Sequence, residues 1–134
     1  MIAANGLRLL LVTPETTLLD LAVRSLRFPL HDGQIGVLPG RAPLVGRLGV
    51  GELRLEPVEG PTRRYLLEEG FVQIKGSVVT LLTSRATPVE QIDASRAQGD
   101  LAAALAQVPK TEAELAAKER AVLRARQALA VRRG

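Results

Sequence analysis

The chain has 134 residues, a net charge of +4 from 18 basic and 14 acidic side chains, 46% hydrophobic residues and no cysteine. That size fits one domain or two small ones with a packed core, and it excludes a disulfide framework and a thiolate zinc site. No run of eighteen apolar residues predicts a membrane-spanning helix, and Met1–Gly6 lacks the basic region of a secretory leader.

From Leu7 to Ser84 the pattern is that of short antiparallel strands, roughly eight to ten of them. Leu7–Val12 is an apolar run stopped by Thr13-Pro14. Val23–Phe28 alternates and stops at Pro29. Next comes His31–Leu44, which holds the only histidine and three of the twelve glycines. Gly33 and Pro39-Gly40 predict two turns, with a short strand through Ile35, Val37 and Leu38 between them and Arg41 and Ala42 presented outward. Gly49-Val50-Gly51 reads as a corner, and Leu53 and Leu55 alternate with charged neighbours as a half-exposed strand. Tyr65–Leu67, Phe71–Lys75 and Val78–Leu82 complete an all-β pattern that predicts a sandwich or barrel.

The period changes after Ala86. Thr87-Pro88-Val89-Glu90 reads as a helix start, with a capping threonine, proline at the first helical position and glutamate three residues after the cap. Val89, Ile92, Ala97, Leu101, Leu105 and Val108 then mark one helical face up to Pro109. Thr111 and Glu114 repeat the cap, and a second helix runs to about Arg132 with Leu115, Val122 and Leu129 on one seam. The expected architecture is α+β: an antiparallel β-sandwich over residues 1–86, then an antiparallel two-helix hairpin over 87–134. Large apolar residues are scarce in the hairpin, so it is expected to be marginal without the β-domain or a partner.

Charge is unevenly placed. Residues 110–134 carry seven basic and three acidic side chains, which predicts an acidic partner surface. Lys118, Arg120, Arg124 and Arg126 form the basic set, whose ordinary alternative is a solvated helix face. No catalytic constellation is evident. A lone His31 beside Asp32-Gly33 reads as a loop residue, the serines lie outside any nucleophile elbow, and the glycines match no phosphate-binding loop. Nucleic-acid binding, the main alternative for a small β-barrel with a basic helix, lacks a stacking platform because Phe28, Tyr65 and Phe71 are the only aromatics.

The stretch from Gly33 to Leu44 resembles the Gly-Glu-x-Gly-[Ile/Val]-x-Pro-Gly-His-x-Pro-Leu segment of the epsilon subunits of F-type ATP synthases. Gly33, Gly36, Val37, Pro39, Gly40, Ala42, Pro43 and Leu44 match, while Gln34 and Arg41 replace the usual acidic residue and histidine. Gly70-Phe71-Val72-Gln73-Ile74 fits the family's glycine-led strand, although Glu68-Glu69 stands where the family usually has Ser-Gly. The resemblance implies a non-catalytic rotor subunit that clamps the gamma shaft onto the membrane-embedded c-ring, at the cytoplasmic face of the cell membrane through the complex alone. It implies c-ring contact through Asp32, Gly33, Gln34, Arg41 and Ala42.

Ile92-Asp93-Ala94-Ser95-Arg96-Ala97 matches the [Ile/Leu]-Asp-x-x-Arg-Ala motif through which some bacterial members bind ATP. By resemblance, Ile92, Asp93, Arg96 and Ala97, with Arg120 and Arg124 from the second helix, are candidate ATP contacts. ATP is then a regulatory ligand and no cofactor is required. Thr87 and Ala103 depart from the stronger binders, and a surface Asp93–Arg96 pair is the plain alternative. The family's hairpin also blocks ATP hydrolysis by contacting the catalytic alpha and beta subunits, and the basic set has the right sign for acidic segments there. A stand-alone ATP sensor is the remaining alternative.

Overall fold

The computed structural model describes residues 6–133. Of the stretch Met1–Gly6 read above, only Gly6 falls inside those residues, and the end of the 87–134 segment at Gly134 falls outside them.

Among the described residues nine strands precede two helices: β1 (Leu7–Val12), β2 (Thr17–Leu30), β3 (Gly33–Val37), β4 (Leu44–Leu48), β5 (Gly51–Pro57), β6 (Arg63–Leu67), β7 (Gly70–Lys75), β8 (Val78–Thr83) and β9 (Ala86–Pro88), then α1 (Ala94–Ala106) and α2 (Glu112–Arg133). The long β2 joins the two layers of a sandwich. Its first half pairs with β1, and its second half lies between β3 and β5. One layer continues β1–β8–β7–β4 and the other β5–β6–β9. All pairings are antiparallel except β1 with β8, which is parallel and departs from the purely antiparallel expectation. The inward faces supply the core, where Leu9, Leu11, Val23, Phe28, Leu53, Leu55, Leu67 and Leu81 have no exposed surface. In β5 burial alternates along the strand, as a period of two requires.

Two expected boundaries are corrected. Pro29 does not end its strand: it pairs with Gln34 inside β2, and its carbonyl accepts from Gly49 N at 3.0 Å. Thr87-Pro88 does not start a helix. Both residues lie in β9, with Thr87 opposite Leu66 and Pro88 opposite Tyr65. A single 3₁₀ turn at Val89–Gln91 follows, and Asp93 is the true cap of α1, its carboxylate accepting from Arg96 N at 3.2 Å. Pro88 sits at the sheet edge, where a missing N–H is tolerated.

The helices form an antiparallel hairpin lying on β5 and β6. Thr111 caps α2 as expected, its hydroxyl accepting from Glu114 N at 3.0 Å, while the Glu114 carboxylate accepts from Lys110 N at 2.6 Å. The buried seam matches the expected one in part: Val89 and Ala97 are buried and Ile92, Leu101, Val122 and Leu129 half-buried, as the predicted faces require. It runs through Ala97 and Ala104 on α1 and Ala125, Ala128 and Val131 on α2, whereas Leu105, Val108 and Leu115 are exposed. Small side chains let the helices approach each other, and each buries little apolar area.

Candidate functional site

The hairpin docks through a small apolar cluster, Leu66, Val89, Ala97, Ala128 and Val131, with Val50, Ile92 and Leu129 packed against it. Polar contacts surround the cluster. Arg64, on β6, donates from Nη2 to Glu52 Oε2 at 2.7 Å and to the Val131 carbonyl at 2.9 Å. That carbonyl belongs to the last turn of α2, where backbone acceptors lack partners within the helix. The hydrogen bond to Glu52 holds the guanidinium charge more firmly than usual. Arg132 Nε donates to the Ile92 carbonyl at 3.1 Å, tying the end of α2 to the start of α1. Arg124 Nε meets Glu68 Oε1 at 2.6 Å, and Glu68 sits in the turn between β6 and β7.

Between the hairpin and the sheet lies a groove of about 520 Å³. Ile92, Asp93, Arg96, Ala97 and Arg124 all line it, so the structure gathers five of the six candidate ATP residues. Arg120 is the exception and lines a smaller neighbouring cleft with Glu68, Glu69 and Ser84. Ala97 is a buried wall of the groove. Glu68, Arg85 and Asp100 also line it and were not singled out from sequence. The Glu68-Glu69 substitution was the only available signal, and it pointed to turn geometry rather than to an ion pair across the fold.

The basic set does not form one face. Lys118 Nζ donates to the carbonyls of Leu105 and Gln107 at 3.3 and 2.9 Å, closing the C-terminal end of α1. Arg124 faces Glu68, while Arg120 and Arg126 are exposed. A helix advances 100° per residue, so positions 118, 120, 124 and 126 point in several directions. A second cleft, lined by Arg63, Arg64, Arg132 and Arg133, is less available than its arginines suggest, because Arg64 and Arg132 are engaged in the contacts above.

The candidate c-ring residues are exposed but do not share one loop. Asp32 lies in the turn before β3, Gly33 and Gln34 are its first two residues, and Arg41 and Ala42 follow Pro39-Gly40 beyond its far end. Four residue steps along β3 separate the two ends by about 13 Å. Gly33 (φ 143°) and Gly40 (φ 87°) hold the left-handed backbone expected of each turn. His31 is an exposed turn residue, its N–H donating to the Arg47 carbonyl at 3.1 Å.

Residues 6–89 match the family described as ATP synthase, Delta/Epsilon chain, beta-sandwich domain. The ATP synthase epsilon chain of Rhodopirellula baltica is 45% identical over 121 residues, covering 90% of this chain and 94% of that one. The epsilon chain of Carboxydothermus hydrogenoformans is 40% identical over 95 residues, 71% of this chain and 70% of that one. Among solved structures, a chain of the Euglena gracilis mitochondrial ATP synthase, OSCP/F1/c-ring in rotational state 1, superposes with a TM-score of 0.86 and 27% identity, covering 97% of this chain and 82% of that chain. Sandwich, docked hairpin and sequence identity agree: the chain belongs to the ATP synthase delta/epsilon family, among its epsilon chains.

Proposed function

We propose that the chain is a non-catalytic rotor subunit of the central stalk, in which the sandwich joins the gamma shaft to the c-ring and the hairpin is a regulatory arm. The observation that carries this reading is the likeness along almost the whole chain to a chain from an F1/c-ring assembly. The sandwich suits torque transmission because its core is continuous and closely shielded from water. Asp32, Gly33 and Gln34 at one end of β3, and Arg41 and Ala42 beyond the other, make the c-ring contacts. Membrane association comes through the complex; no helix among the described residues is long and apolar enough to cross a membrane.

The hairpin inhibits ATP hydrolysis when it leaves the sandwich and meets acidic segments of the catalytic subunits. Arg120 and Arg126 are available in the docked form, Arg124 becomes so on undocking, and Lys118 only when the two helices separate. The groove at Asp93, Arg96 and Arg124 takes ATP as a regulatory ligand, bridging both helices and the sheet. Reconstitution of gamma and the c-ring with the complete chain and with a form lacking residues 94–134 tests the reading. Both forms are expected to incorporate, with faster ATP hydrolysis in the shortened one. Failure of the complete chain to incorporate would refute the rotor role, and unchanged hydrolysis would remove the regulatory one.

A further inference from the structure

The groove is not an open cationic site. Its charged lining consists of Arg85, Arg96 and Arg124 against Glu68, Asp93 and Asp100, which cancel formally. Of these, Glu68, whose side chain is 14% exposed, already meets the half-exposed arginine contributed by α2 at 2.6 Å. The carboxylate is presented by a firmly built turn. Glu68 N donates to the Arg85 carbonyl at 3.0 Å, and the Glu68 carbonyl accepts from the Thr83 hydroxyl. Two residues on, Gly70 leaves no room for a side chain, because a Cβ there would lie 1.9 Å from the Leu82 carbonyl oxygen. A carboxylate and a phosphate oxygen satisfy a guanidinium in the same way, so only one of them can take this edge of Arg124.

We infer that Glu68 is a built-in competitor of the nucleotide phosphate: it occupies Arg124 and helps keep the hairpin docked with the groove empty. The inference rests on the reading of this groove as an ATP site and concerns how that site is regulated. A polyphosphate entering the groove must displace the Arg124–Glu68 ion pair and meets no net positive charge. The carboxylate therefore adds to the apolar and arginine contacts that dock the hairpin, and the docked form responds weakly to ATP. Replacing Glu68 by glutamine keeps the shape of the side chain, removes the ion pair with Arg124 and raises the formal charge of the groove by one.

Calorimetric titration of the complete chain with ATP, beside Glu68→Gln, tests the competition. The variant is expected to bind ATP roughly tenfold or more tightly than the natural chain, an advantage lost when Arg124→Gln is added. Equal, measurable affinities would overturn the competition while leaving the groove a nucleotide site. No binding by either form up to millimolar ATP would overturn the nucleotide reading and the competition with it. Amide exchange of α2 supplies a second readout that does not depend on the Glu68 variant. Arg124→Gln alone is expected to speed exchange in α2 with no nucleotide present, and unchanged exchange would contradict a docking role for the carboxylate.

Discussion

Phe28, Leu53, Leu55, Leu67 and Ile74 are almost wholly shielded from water inside the sandwich, whereas the hairpin hides four alanines and Val131 behind a rim of arginine contacts. Burial of large side chains is non-directional, cooperative and insensitive to which surface partner is present. Alanine contacts and ion pairs contribute less and can be exchanged for equivalent contacts elsewhere. One part of the molecule is thus suited to carrying load, and the other to changing partners without unfolding its platform.

The largest test of that difference is Phe28→Ala. It removes a fully buried aromatic from the sandwich and should cost about 3–5 kcal/mol, melting sandwich and hairpin together because the hairpin loses its platform. Thermal denaturation followed by far-UV circular dichroism would show one lowered transition. Survival of the helices after loss of the sandwich would break the proposed dependence.

Arg64→Ala should act on the hairpin alone. It deletes the donor shared by Glu52 and the Val131 carbonyl, and should weaken docking by about 1.5–3 kcal/mol. Limited proteolysis in α2 should accelerate while the sandwich remains resistant. Equal sensitivity of both regions would mean that Arg64 supports the sheet rather than the arm.

Smaller still, Leu105→Ser and Leu115→Ser should each change stability by no more than about 0.5 kcal/mol, since both side chains are exposed. Larger losses in denaturant titration would restore the leucine seam expected from sequence. The smallest effect belongs to the exposed Arg8–Asp20 pair, in which Arg8 Nε and Nη2 donate to the two Asp20 oxygens at 2.8 and 2.7 Å. The hydrogen bond from Arg8 holds the Asp20 carboxyl below its ordinary range. Its contribution is therefore fully present above the ordinary carboxylate value of about 4, and it fades as pH falls through the lowered value. Asp20→Asn should flatten this part of the acid-unfolding profile and leave stability near pH 7 only slightly reduced.

Strands were legible in the sequence where alternation is local: β1 and β7 fall almost where their apolar runs predict. Thr87-Pro88 was misread because its partners, Leu66 and Tyr65 of β6, are supplied by the fold rather than by neighbouring residues. Pro29 instead pairs locally with Gln34 across the His31-Asp32 turn, and was misread because a proline reads as a strand stop. The expected apolar faces failed at Leu105, Val108 and Leu115 for a related reason, while Leu129 packs against the docking cluster. Size made Leu105 and Leu115 conspicuous, but the hairpin's close approach selects alanines. At the groove, Asp93 and Arg96 stand out because they share a short motif. Glu68 and Arg64 do not, since their partners Arg124 and Val131 lie on another element far along the chain.

Hydrogen exchange of the complete chain, resolved residue by residue, tests the contrast between load-bearing sandwich and releasable arm most directly. Amides of α1 and α2 should exchange through an opening that costs less free energy than the opening of β5 and β8, and Arg64→Ala should lower the helical value alone. A single opening free energy shared by helices and sheet, shifted equally by that substitution, would contradict the account.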